Sequence, residues 1–452
     1  GSQSRELPAG GMGISAAVFV GNDNNDGTKI LYWRSSDWGA TWEQPTKLTE
    51  SVGVNSGVSL AAHNSSDLCA VWRRFEDNNE TSSILFACST DGGKKFGKPK
   101  LVQGDICPFD QTTLNGLPPT ENIVSFRTNA FPVLASDGSR YYAFWSDRGY
   151  ASASGDAEGC QLIETDPATG EDSFNESFAR IVFATSSNGN SWSAPQAVED
   201  FDGIAVPGQQ LPFAGHQFMP AAFGANGEVM LSWIDTREDI VNAFRAEGFD
   251  PAIDKQLVVD LWGESEGASV GLYRHSADIR GVRLRNGAVL GGSEKISSYQ
   301  RGLISTGGGS QLIQLEYNLV NARLFQNGLA AFIGDYLNVA ASAFNKGQDG
   351  RWKNSNTTPQ LGGVFHVSWG ENRDVRGNAW GDAGFAQPSP YTPAEPVSSD
   401  GAAQQTGEVS NANPSVEDDP LQAPEACTPG TEATPAADRT RDQNVYSAAL
   451  YP

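Results

Sequence analysis

The octapeptide SSDWGATW (35–42), placed directly after the apolar run ILYWR, decides the reading of this chain. It has the form Ser-x-Asp-x-Gly-x-Thr-Trp, with a strand running into a tight turn and an aromatic residue folding back beneath it. The Asp37 carboxylate can accept N–H bonds inside its own turn, and Gly39 permits positive φ. Trp42 is expected to bury its ring and anchor the hairpin begun at Ser35. The pattern recurs. STDGGKKF (89–96) sets Ser89, Asp91, Gly93 and Phe96 in the same register after SSILFAC. TSSNGNSW (185–192) keeps Thr185, Gly189, Ser191 and Trp192 and puts Ser187 at the Asp position. Each copy leads into a short return strand near a proline (QPTKL, KPKLV, APQAV). Three copies on one strand–turn–strand frame signal a repeat architecture.

A second repeat runs alongside. GVSLAAHNSSDLCAVWRRFED (57–77), AFPVLASDGSRYYAFWSDRG (130–149) and FMPAAFGANGEVMLSWIDTRED (218–239) each read as strand, turn, strand ending in Trp, then a charged cluster. A longer variant runs from AAFIGDYLNVAAS to GVFHVSWGENRD (330–374). Alternating apolar residues in these segments indicate period-2 strands.

The octapeptides resemble the Asp boxes of the sialidase superfamily, also called BNR repeats. That resemblance implies an all-β fold, a single β-propeller of four-stranded blades, most readily six. It also implies that the boxes are structural turns between third and fourth strands, on the face opposite the active site. On this reading 1–12 is an N-terminal extension opening with a Gly1-Ser2 cloning remnant, and 13–383 holds the propeller blades. The segment 296–328 is assigned to a fifth blade. The Pro-, Ala- and acid-rich 384–442 is a long loop or excursion with too few apolar residues for a core of its own. The closing strand, 443–452, is expected to complete a blade with N-terminal residues. A further resemblance covers GHQFMPAAFGANGEVMLSWIDTRED, HSADIRG, LEYNLVNARLF, FIGDYLNVAA, FHVSWGENRDVRG and RDQNVYSA. These are similar to a group of uncharacterised exported bacterial proteins with sialidase-like repeats and variable C-terminal anchors, implying an extracellular or cell-surface location.

The net charge of −23 disfavours nucleic acid and anionic lipid, since no basic stripe offsets phosphate repulsion. No apolar run is long enough to span a bilayer. Of the five cysteines, Cys69 and Cys88 fall on consecutive strands and are placed to pair, as are the loop residues Cys107 and Cys160, leaving Cys427. Free buried thiols are an equal alternative. No cofactor is required, and a calcium ion held by loop carboxylates is compatible with so acidic a chain. The NDNNDG stretch (22–27) is explained by turn chemistry alone.

The charged clusters after each Trp converge on one face of such a fold, together with the starts of the innermost strands. Candidate ligand-binding residues are Arg127, Asp147, Arg148, His216, Gln217, Asp235, Arg237, Asp335, Tyr336 and Arg373. Arginines there would fork onto a carboxylate of an acidic sugar. The competing explanation is that each Asp–Arg pair clamps neighbouring loops, and repetition from blade to blade favours it. Asp235, Tyr336, His216 and Glu371 are the candidate catalytic residues. The sialidase pattern of three arginines, a Tyr–Glu couple and an acid/base Asp is incomplete, because Glu316 and Tyr317 are adjacent and would point to opposite faces of a strand. His366, inside an apolar strand, is expected to be packed. Two functions follow: a binding or adhesion module for glycans, or a glycan-cleaving hydrolase or lyase.

Overall fold

The structure is a computed structural model of the 452-residue chain. It describes residues 3–7, 14–23, 27–37, 39–49, 53–64, 66–75, 82–110, 128–148, 163–165, 172–174, 179–199, 204–206, 209–211, 216–237, 277–298, 301–306, 309–314, 318, 323–324, 330–331, 337–341, 344–346, 352–354, 364–371, 396–397 and 444–450.

Four antiparallel sheets follow one another along the chain, each with its strands in sequence order. The first holds Gln3–Leu7, Ile14–Asp23, Gly27–Ser35 and Thr46–Lys47. The second holds Asn55–Ala62, Leu68–Phe75, Ser82–Ser89 and Lys100–Ile106. Val133–Ser136, Tyr141–Asp147, Arg180–Ser186 and Gln196–Ala197 form the third. Gln217–Ala225, Glu228–Asp235, Asp278–Arg285 and Ala288–Lys295 form the fourth. A last sheet pairs Leu337–Ala341, Phe365–Glu371 and Asn444–Leu450.

The sheets stack face to face in chain order. Ile30 and Tyr32 of the first pack with Leu60, Leu68, Ala70 and Trp72 of the second. On the reverse face of that strand, Cys69 and Val71 meet Leu134, Tyr141, Ala143 and Trp145 of the third. Tyr142, Phe144 and Phe183 meet Val229, Leu231 and Trp233 of the fourth, and Met230, Ile234 and Ile279 meet Phe365, Val367 and Trp369 of the last. A second strand is thus covered on both faces, so LCAVW and YYAFW are unbroken apolar runs, a departure from the alternation expected of these segments. First strands also lie beside first strands. The Leu134 backbone N–H donates to Ser59 Oγ at 3.1 Å. A side chain on Gly224 would run into the backbone of Ser136. Sheets stacked in series with first strands converging make the arrangement of a β-propeller.

The Ser-x-Asp turns are built as their chemistry dictates. Ser35 Oγ donates to Asp37 Oδ1 at 2.7 Å, Gly39 N–H donates to Ser35 Oγ, and Thr41 donates to Asp37 through both N–H and Oγ. Ser89, Asp91 and Gly93 repeat this, with Lys94 and Lys95 N–H on Asp91. In the third copy the roles fall to Ser186 and Asn188, not to Thr185 and Ser187: Gly189 N–H donates to Ser186 Oγ at 2.9 Å and Asn190 N–H to Asn188 Oδ1 at 2.8 Å. That turn is one residue shorter. The hydrogen bonds from the Thr41 hydroxyl and N–H, and then from Ser35, pull the Asp37 carboxyl down to about 2. A depressed folded value means that the turn's contribution to stability is present above pH of about 4 and lost as pH falls through the folded value. A carboxyl-carbon NMR titration of Asp37 should show the low midpoint, and Thr41→Val should raise it.

The turns of the second and third sheets seat on the sheet before them. Arg34 Nε donates to Gly92 O at 2.8 Å, and Phe96 meets Tyr32 edge-on at 4.7 Å. Gly93 (φ 81°) and Gly189 (φ 67°) lie where a side chain would strike Tyr32 and Phe86 respectively. Trp192 packs edge-on against Phe86 at 5.1 Å. The fourth sheet has a plain Asn-Gly turn instead, whose Asn286 and Gly287 N–H groups donate to Asp137 Oδ2 and Tyr142 Oη.

Several expectations change. Trp42 is 44% exposed, with no later strand of its own sheet broad enough to cover it: Thr46–Lys47 is two residues long. Gln3–Leu7, read as an extension, pairs with Ile14–Val18 as an edge strand. Asn444–Leu450 pairs with Phe365–Glu371 rather than with N-terminal residues. The fourth sheet packs directly on the last; of 296–328, read as a fifth blade between them, the described Arg301–Thr306 and Gly309–Gln314 pair as a hairpin, joined by Pro396–Val397. The rest of 384–442 lies outside the described residues, as does most of 151–178 between the second and third strands of the third sheet. His366 is exposed, because its neighbours Phe365 and Val367 take the core face.

Cys69 and Cys88 form a disulfide between directly paired residues of adjacent strands. Cys107 is also disulfide-bonded, while Cys160 and Cys427 lie outside the described residues. The free-thiol alternative is overturned for these three. Since the strand ladder already holds residues 69 and 88 together, replacing both by alanine should cost only about 2 kcal/mol, the lower part of the usual range. A shift in the urea midpoint would measure it.

Candidate functional site

The second strands end, and the first and third strands begin, on one edge of the stack. Here each closing Trp has a partner. Trp145 Nε1 donates to Asp147 Oδ2 at 3.0 Å, Trp233 Nε1 to Asp235 Oδ2 at 2.8 Å, and Trp369 Nε1 to Glu371 Oε2 at 2.6 Å. Residues two apart on a strand share a face, so the sequence Trp-x-Asp/Glu sets the indole beside the carboxylate. In the second sheet Trp72 is followed by two arginines, and Asn55 Oδ1 of the neighbouring strand accepts instead at 3.1 Å.

These carboxylates have further obligations. Asp147 Oδ1 accepts Cys107 N–H at 3.2 Å, and Arg148 N–H donates to Cys107 O at 2.7 Å, fastening the exit of the second sheet to the third. Asp235, fully buried, receives Arg237 through its backbone N–H, Nε and Nη2, the last at 2.6 Å. Arg237 Nη2 also reaches Glu199 Oε2 at 2.6 Å, and Ser293 Oγ donates to the same Glu199. Burial alone would lower the Arg237 pKa, yet Asp235 and then Glu199 hold it above its ordinary value. Glu199 is the mirror case: burial pushes it up, but Arg237 and Ser293 bring it below the usual carboxylate range. Arg73 bonds Asp110 Oδ1 at 2.8 Å and Ser82 Oγ at 2.9 Å; burial outweighs the Asp110 charge and lowers its pKa.

One junction is built differently. Between the third and fourth sheets, His216 stacks on Phe109 with ring centroids 4.4 Å apart, and the Arg148 guanidinium sits 5.9 Å from the same ring. Burial pushes the Arg148 pKa down to about 10. Ala179 N–H donates to His216 Nδ1 at 3.2 Å, which places the proton of the neutral imidazole on Nε2. Gln217, fully buried, accepts Ile181 N–H on Oε1 and Ser146 Oγ on its carbonyl, while its Nε2 has no hydrogen-bond partner among the described residues.

The structure therefore brings Asp147, Arg148, His216 and Gln217 to one junction. It sets Asp235 and Arg237 in a separate buried knot, and Glu371 under Trp369. Arg127, Asp335, Tyr336 and Arg373 lie outside the described residues. Sequence reading missed Phe109, Asp110 and Glu199. All three follow a fourth strand by a few residues, a position whose recurrence was there to be noticed. Among the described residues no three His, Cys, Asp or Glu side chains come together as a metal cluster.

No protein-family model matches the chain, and no curated protein does. Among solved structures it is similar to a Penicillium chrysogenum α-L-arabinanase complexed with arabinobiose, at 11% identity and a TM-score of 0.36, covering 81% of this chain and 76% of that one. An N-acetylgalactosamine deacetylase from F. plautii, in complex with blood group B trisaccharide, gives 13% identity and 0.34 over 86% and 85%. A Trypanosoma rangeli sialidase mutant displaying trans-sialidase activity gives 10% and 0.32 over 81% and 42%. The chain's own packing establishes an all-β fold of serial four-stranded antiparallel sheets, with a polar face at the ends of the second strands.

Proposed function

We propose that this protein is a binding module of an exported bacterial protein, recognising glycans through the face that carries His216, Gln217, Asp147 and Arg148. The observation that carries this reading is the Trp–carboxylate clamp. Asp147, Asp235 and Glu371 spend their oxygens on indole N–H groups, on Arg237 or on backbone, which is the work of scaffold rather than of acid/base catalysis. A glycosidase would hold two carboxyl groups about 5–10 Å apart across a substrate bond. The junction at His216 offers what a sugar-binding face uses: an aromatic platform in Phe109, a ring N–H, and a cation beside it. Disulfides at Cys69–Cys88 and at Cys107 suit an oxidising, extracellular location. The Ser-x-Asp turns are read as Asp boxes, and the Arg301–Gln314 hairpin as part of a sixth blade.

A glycan-array screen run beside turnover assays on arabinan, sialoside and uronate substrates tests the proposal. Binding without turnover is expected, weakened about tenfold by His216→Ala through loss of one ring hydrogen bond and its stacking surface. Turnover that disappears in Tyr336→Phe would replace this reading with an enzyme. Arg237→Ala and Asp235→Asn are poor probes here, since both disturb the buried knot.

A further inference from the structure

The edge opposite the Trp clamps carries the turns, and there a cavity of about 300 Å³ opens between the second and third sheets. Three separate segments of chain wall it: the first turn of the second sheet (His63, Asp67), its third-to-fourth connection (Lys98, Lys100), and the Ser-x-Asn turn of the third sheet with Asn190. The floor is fixed. His63 stacks on Tyr141 at 4.2 Å, and its Nδ1 is hydrogen-bonded to Ser136 Oγ at 2.7 Å. Phe86 and the disulfide-bonded Cys88 complete it.

The charge around this cavity is out of character with the chain. Lys94, Lys95, Lys98 and Lys100 are four of only ten lysines, gathered within seven residues of a protein with net charge −23. All four are exposed. The turn fixes the first two, because Asp91 Oδ1 accepts the N–H groups of both Lys94 and Lys95 at 3.0 Å. Among the described residues of the lining, Lys98 and Lys100 bring two positive charges against the one carboxylate of Asp67, which accepts from Asn64 Nδ2 and Ser66 Oγ. Burial keeps His63 below its ordinary pKa despite Asp67 and Asp137, so the ring adds hydrogen-bonding capacity without charge near neutral pH. Lys100 Nζ hydrogen-bonds the side chain of Asn190, bridging the two sheets across the opening.

We propose that this cavity is a second saccharide site, separate from the one at His216, and that it takes an acidic sugar. A carboxylate or sulfate lies between Lys98 and Lys100, and the hydroxyls lie against Asp67, Thr90 and Asn190. The pairing of a charged rim with a rigid ring-lined floor orders the ligand without ordering the protein, which limits the entropic cost of binding. In a chain so negative overall, a local cationic rim also gives the acidic ligand one favoured point of approach.

Calorimetry on the full chain tests this with three probes: oligogalacturonate, a heparin-derived oligosaccharide and a neutral oligosaccharide of equal length. Either acidic probe should bind and the neutral one should not, the preferred acid separating carboxylate from sulfate recognition. Lys98→Ala/Lys100→Ala, on exposed positions that leave the core untouched, should weaken binding about tenfold or more, the value of a charge-assisted contact. Lys94→Ala/Lys95→Ala should change it less than about threefold, as rim charges outside the cavity do. Equal losses in the two double variants would mean diffuse attraction to a polyanion and overturn the proposal. So would absence of acidic-probe binding, or a loss seen with His216→Ala and not with the Lys98/Lys100 pair.

Discussion

Asp235→Ala should lower the unfolding free energy by about 3–5 kcal/mol, the cost of breaking a buried ion pair from one side. The carboxylate is fully buried and accepts from the Trp233 indole, the Arg237 guanidinium and the Arg237 backbone N–H. Removing it takes the nearest carboxylate from Arg237, itself almost fully buried, and strips the indole N–H of its acceptor. Asp235→Asn is the informative companion. Its amide oxygen still accepts from Trp233, while the charge and the Oδ1 acceptor of the Arg237 backbone N–H and Nε are lost, and a smaller loss of about 1–3 kcal/mol is expected. Urea denaturation of the pair, at unchanged m-value, separates the two contributions. Equal destabilisation by both variants would mean that the indole bond adds nothing.

The second large effect is steric. Gly224→Ala should cost about 3 kcal/mol or more, the upper end for overpacking, because the added methyl meets backbone and not a side chain that can swing aside. The atoms in the way are the carbonyl, carbon and nitrogen of Ser136, on the first strand of the third sheet. Gly224 lies on the first strand of the fourth sheet, so the change forces two converging strands apart. Gly138→Ala is the control for backbone strain alone. Its site is open space, but φ is 86°, and about 1–2 kcal/mol is expected there. If Gly224→Ala proved as mild as that control, the close approach of the inner strands would be wrong.

What was legible in the sequence was whatever is decided locally. The Ser-x-Asp turns at Ser35 and Ser89 close through side chains two to four residues apart, so their octapeptides carry their own structure. The third copy reads one residue out of register because TSSNGNSW opens with three adjacent hydroxyl residues, and alignment on Trp192 favours Thr185 over Ser186. The charged cluster after Trp145 and Trp233 was visible too, and its repetition pointed to Asp–Arg clamps, whereas the recurring partner of the carboxylate is the indole two residues before it. What the clamp holds was not visible. Asp147 meets Cys107 and Arg237 meets Glu199 across about 40 residues of chain, through contacts that no local spacing encodes. The cavity at His63 is the extreme case, since its walls come from segments near 63, 98 and 189 that only the stacking of sheets brings together. Direct packing of the fourth sheet on Phe365 and Val367 was hidden for the same reason.

The seating of turns on the sheet before them gives the molecule a direction. Gly93 rests on Tyr32, Gly189 on Phe86, and Asn286 with Gly287 on Asp137 and Tyr142; in every instance the receiving surface precedes the arriving one in the chain. A polypeptide emerging amino end first, from a ribosome or through an export pore, would find each landing site finished before the segment that needs it appears. Assembly can then proceed as a ratchet, one sheet templating the next. A circular permutant that opens the chain between the second and third sheets reverses that order at one seam, and its slower refolding would be the mark of a fold written to be read from one end.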